Sequence, residues 1–195
     1  MIIIAAAFSL SVGAAEPGQP FPWREPRVGA GVFSDDLGML DREREEYTNN
    51  FAVVAVNEIA RQKASLESLE KGRRLLALSL HLAARNKRAL VANFQLSRGV
   101  IPEPVESNYS KEVLARLIFT RAQVLREQGG VEDRLLSRIF VELAAELDPK
   151  NEDAVYACEL QRLDHGRVDW KFLTDVKPPP PSGLGHHGPE SGRVE

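Results

Sequence analysis

The chain has 195 residues, a formal charge of −3, 43% hydrophobic residues and one cysteine. That composition is globular, and the acidic balance excludes a strongly basic nucleic-acid binder, whose phosphate contacts need a clustered positive excess. A lone Cys158 excludes an intrachain disulfide framework and an all-cysteine metal site.

Residues 1–15 carry no charge. The apolar run Ile2 to Val12 has the length of an export-signal core and is too short for a bilayer span, and Gly13, Ala14 and Ala15 offer a cleavage site. No Lys or Arg precedes the run, so the other reading is an apolar segment packed on the domain. Export predicts a bacterial periplasmic or cell-envelope protein, with no membrane span after signal cleavage.

Residues 16–48 read as an extended Pro/Gly-rich lead, passing into the charged Asp41–Glu46, which suits a solvated helical face. Residues 49–166 are expected to be the helical domain. Of 12 prolines, only Pro102, Pro104 and Pro149 fall between Arg27 and Lys177, as a helical region requires. Gly99, Gly129, Gly130 and Gly166 stand where helices should end, and Gly72 does not.

Six helices are predicted, at 49–64, 67–83, 87–98, 110–128, 132–147 and 151–165. Apolar stripes such as Val113, Leu114, Leu117, Ile118, Ala122 and Leu125 mark their inner faces. Ser110 should cap the fourth. Residues 167–195 form a tail whose Pro178–Pro181 run is a stiff spacer and whose last stretch should be disordered.

The six helices read as two copies of three. Leu82, Asn86, Ala89 and Ala92 recur 65 residues later, without gaps, as Leu147, Asn151, Ala154 and Ala157. The matches fall on a helix–turn–helix junction, where spacing is most constrained. At that junction Pro149 should occupy a first helical turn, and Asp148 or Asn151 should accept from free backbone N–H groups.

The segment Phe140-Val-Glu-Leu-Ala-Ala-Glu-Leu-Asp-Pro-Lys-Asn151, followed by Ala154, Tyr156 and Gly166, resembles the tetratricopeptide repeat (TPR) family. Ala144 fills that family's small-residue site. The first copy matches at Leu82, Asn86 and Ala89, with Ser79 and Gly72 at small-residue sites. It departs at Ala84, where the family has proline, and Glu159 of the second copy replaces a glycine. The resemblance implies an all-α, short helical-repeat solenoid whose concave face holds a peptide or another protein.

No nucleophile elbow, phosphate loop, zinc-binding His-Glu-x-x-His or dinucleotide fingerprint is present. No catalysis, cofactor or metal is therefore expected. Cys158 and His165 are seven residues apart on one helix, about 10 Å, too far to share a zinc. His81 and His165 read as packing or surface residues, and His186-His187 as a flexible pair.

Asn57, Arg61, Asn93, Arg98 and Arg121 are the polar residues that could face a partner across the concave surface, ordinary wet surface being the other reading. Trp23 and Trp170, in the two flanks, are expected either to anchor a partner or to fold back and cap the helical stack. The leading expectation is a non-catalytic adaptor or scaffold of the cell envelope. The alternative is a regulatory or accessory subunit of an enzyme whose catalytic part is elsewhere. Because no folded segment is expected after Pro181, the chain is expected to be either a shortened relative of a larger protein or one whose tail is itself a docking peptide.

Overall fold

The computed structural model describes residues 20–29, 32–34 and 37–176. The expected signal peptide at 1–15, the Pro178–Pro181 spacer and the His186-His187 pair lie outside them. The described residues are all-helical: α1 Asp41–Arg61, α2 Leu66–Leu82, α3 Lys87–Ser97, α4 Lys111–Gln128, α5 Val131–Leu147, α6 Glu152–His165 and the short α7 Lys171–Thr174. None is long and apolar enough to cross a membrane.

The helix ends follow local chemistry. Ser65, Asn86, Ser110 and Asn151 each accept a backbone N–H three residues on, satisfying one of the free donors of a first turn. Gly129 ends α4 in the left-handed region at φ 77°, which a side chain would disfavour. The α1–α2 turn has no glycine, and Lys63 and Ala64 take positive φ there.

Two expectations change at the edges. Helix α1 starts at Asp41, not near residue 49. Asp41 and Glu43 stand in its first turn, where the helix dipole favours acids, and Arg44 is buried and donates to Ser34 O. The charged run is thus the first part of α1. At the other end, Val168 and Leu173 are buried, and α7 packs on α2. The first ten residues assigned to the tail therefore belong to the packed structure.

Helices α1 and α2 pair closely, as do α4 and α5. Gly72 permits the first approach, because a Cβ there would overlap Ile59 Cδ1. Helix α3 packs on α1 and α2, and α6 packs on α5. Phe51, Ile59, Leu76, Leu125, Ile139 and Phe140 are fully buried, each worth about 1.5–3 kcal/mol of apolar transfer. Phe140 meets Phe51 edge-on at 5.8 Å and Tyr47 at 5.6 Å, joining α5 to α1.

The α2–α3 and α5–α6 turns share one hydrogen-bond pattern. Ala83 N donates to Ser79 O as Asp148 N donates to Ala144 O. Asn86 N donates to Ala83 O as Asn151 N donates to Asp148 O. Ala89 N bonds the Asn86 side chain at 2.9 Å, and Ala154 N that of Asn151 at 3.1 Å. Pro149 sits in the turn ahead of the Asn151 cap rather than in the first helical turn.

The two flanks meet on α2. Arg27 N donates to Thr174 O, and Val176 N to Arg27 O. The buried Arg73 guanidinium donates to Arg24 O, Thr174 O and both carboxylate oxygens of Asp175.

Candidate functional site

Helix α5 supports α4 on one side and α6 on the other, and a groove opens between them. One cavity of about 690 Å³ lies among Phe119 and Gln123 of α4, Ser137, Arg138 and Val141 of α5, and Tyr156 and Leu160 of α6. A second, of about 530 Å³, continues past Glu112 and Arg116 toward Asp148 and Asn151. The two share Phe119, Gln123 and Asp153, so they form one trough along α4.

The floor is held by hydrogen bonds between helices. Ser137 Oγ donates to Ala122 O at 2.6 Å, tying α5 to α4. Gln161 Nε2 donates to Arg138 O at 3.1 Å, tying α6 to α5. Arg138 reaches the α6 end through His165 O and Gly166 O, each at 3.4 Å, while its Nε is enclosed with no partner. Arg126 and Arg134 add positive charge on the α4–α5 side, opposite Asp153 and Asp164 of α6. Tyr156 and Leu160 present exposed apolar surface between those acids.

Such a trough can bind, because it combines apolar wall, opposed charges and an unbonded buried donor. Among the described residues no cluster of three or more His, Cys, Asp or Glu could hold a metal. Cys158 faces a separate hollow beside Glu142 and Glu159. Burial pushes its thiol up, and Glu142 and Glu159 push it further, away from the reactive thiolate. His81 is buried with Nε2 against Leu173 O at 2.8 Å. Burial lowers its basicity, against the Leu173 hydrogen bond.

The five polar residues expected to face a partner are not brought together, and none lines the trough. Asn57 exchanges two 2.8 Å hydrogen bonds with the Val105 backbone, fixing the loop over α1. Asn93 is buried; it accepts from Trp23 Nε1 and donates to Glu25. Arg121 bonds Glu43 and Gly38 O, holding α4 to the start of α1. Arg61 is largely exposed and pairs with Glu58 at 2.5 Å. Arg98 lies exposed over the Phe94 ring, 5.3 Å from its centre. Both tryptophans fold back on the helices: Trp23 onto Asn93, and Trp170 onto Glu142 at 2.7 Å beneath the Arg74 guanidinium.

The trough residues carried one sequence signal. Tyr156, Leu160 and Leu163 give α6 more apolar side chains than a single buried face uses, and only Ala154 of that helix is buried. No family model matches this chain, and neither a curated protein nor a solved structure matches it.

Proposed function

We propose that the protein is a non-catalytic interaction protein built from two copies of a TPR-like three-helix unit, α1–α3 and α4–α6. The second unit offers its open α4–α6 trough to a segment of a partner protein. The observation that carries this reading is the trough: two helix walls and a helix floor, open along its length, with Tyr156 and Leu160 exposed on one side. An extended or helical segment laid there would bury those side chains and reach Arg126, Arg134 and Asp153 for orientation. The shared Asn-capped turn supports the two-copy reading, because it gives α3 and α6 the same exit from the preceding helix. The proposed setting is the cell envelope, reached through the apolar segment at 1–15.

Gln123 tests this, because it is exposed and borders both cavities. Gln123→Trp should fill the trough without disturbing a buried contact. Crosslinking and mass spectrometry in cell-envelope extract should find a partner on the unaltered protein that Gln123→Trp no longer holds, with helical circular dichroism unchanged. A partner held equally by both proteins, or none held by either, would overturn the reading.

A further inference from the structure

Helices α3 and α6 each leave an Asn-capped turn and each show an apolar strip to solvent. On α3 the strip is Leu90, Val91 and Phe94, with Phe94 61% exposed. On α6 it is Tyr156, Leu160 and Leu163, spaced four and three residues apart and so in one line, with Leu163 74% exposed.

The charges framing the two strips are opposite. Helix α3 and its C-cap carry Lys87, Arg88 and Arg98 and no acid. Helix α6 carries Glu152, Asp153, Glu159 and Asp164 against Arg162, which is bound to Glu159 at 2.5 Å. At the helix starts the inversion is position for position, since Lys87-Arg88 stands where Glu152-Asp153 stands 65 residues later. The acids of α6 agree with the positive end of its helix dipole, whereas Lys87 and Arg88 oppose theirs. Neither cation is ion-paired among the described residues, so nothing shown within the chain offsets that local conflict. A local rule broken without internal compensation points outward.

We infer that α3 of one copy docks on α6 of a second copy, antiparallel. That orientation sets Lys87 and Arg88 beside Glu159 and Asp164, and Arg98 beside Glu152 and Asp153. It also places unlike helix ends together. Burial of the two strips supplies the attraction, and the charges choose the pairing. Pairing α6 with α6 would set carboxylates against carboxylates, and α3 with α3 cations against cations, so only the mixed contact is complementary. Two copies that exchange both contacts close into a dimer. The contact does not rest on what the trough holds; it covers Tyr156 and Leu160 on the trough's edge, so a second copy and a trough-bound segment compete for those two side chains.

The test is a charge exchange in the full chain, read by sedimentation velocity across a concentration series. The unaltered protein should associate, less so with added salt. Lys87→Glu with Arg88→Glu should abolish association, and so should Glu159→Lys with Asp164→Lys, with circular dichroism unchanged in each. Mixing the two variants should restore a heterogeneous complex, because each then meets its complement. An unaltered protein that stays monomeric, variants that associate as it does, or loss without rescue on mixing would each overturn the inference.

Discussion

The units α1–α3 and α4–α6 turn the same corner and then diverge. In the first, α3 packs on both α1 and α2, Asn57 holds the Val105 loop over α1, and Asn93 is covered by Trp23 and Glu25. In the second, α6 rests on α5, buries only Ala154 and leaves a trough toward α4. A capped turn therefore fixes how one helix leaves another, but not whether the face it makes is closed. The difference comes from flanking chain. The lead and the segment after α6 meet on α2, and the lead also bonds α3 through Asn93, whereas on the second unit they bond α5, at Glu132, Asp133 and Glu142.

The largest expected effect comes from breaking that closure at Arg73. Its guanidinium is buried and bonds two carbonyls and a carboxylate. Arg73→Ala leaves Asp175, Thr174 O and Arg24 O without their shared donor. Removing a buried charged donor that serves two carbonyls and a part-exposed carboxylate, which keeps Arg24 as a partner, costs about 3 kcal/mol, so the urea midpoint should fall sharply. Asp175→Asn should cost less, because Asp175 is one-third exposed and the carbonyl bonds remain.

A smaller effect lies at the seam between the units. Glu58 of α1 accepts from Lys111 at the start of α4, and from Arg61 and Gln62. Burial alone would raise its carboxyl, but those hydrogen bonds outweigh it and hold the group at about 2, below its usual 4.5. Asp175 is held at about 2 by Arg73 against its own burial. A depressed carboxyl contributes stability that is complete above its unfolded value and lost as pH falls toward the folded one. Denaturant midpoints should therefore hold steady from pH 7 to about 5 and drop toward pH 2. Glu58→Gln should flatten part of that drop, a difference on the order of 2 kcal/mol. An unchanged acid limb would show that the seam does not depend on this carboxylate.

The helical core was legible in the sequence because its apolar stripes repeat with the helix turn and its breaks fall at Gly and Pro. The starts of α2 and α4 lie within a residue of expectation. Sequence places the start of α1 late because Asp41–Glu46 has no apolar stripe, and the burial of Arg44 depends on Ser34, reached only through the lead. The site was less legible. Asn93 and Arg121 are polar and helical, as a binding residue would be, yet both are used internally, by Trp23 and by Glu43. Periodicity ranks residues along one helix and does not say which second segment lies beside them. The exposed side of α6 was hidden for the opposite reason: Leu160 and Leu163 look like core in sequence and face solvent because no other described helix covers them.

The finest test compares the two corners themselves. Asn86 and Asn151 make the same cap bond, but only Asn86 also donates to Thr48 Oγ1 and Asn49 Oδ1 of α1, at 3.1 and 3.0 Å. The cap alone is worth about 1 kcal/mol. Asn151→Ala should cost that much. Asn86→Ala removes the cap and leaves two acceptors short, one of them on the fully buried Thr48, and should cost about 1 kcal/mol more. Asn86→Ser keeps the cap oxygen but cannot donate as an amide does, and should cost about 1 kcal/mol, less than Asn86→Ala. Equal losses at the two positions would mean that the α1 contacts add nothing and that the first unit is closed by its flanks alone. A larger loss at Asn86 would place part of the closure in the turn, through the Asn86 amide that reaches back to α1.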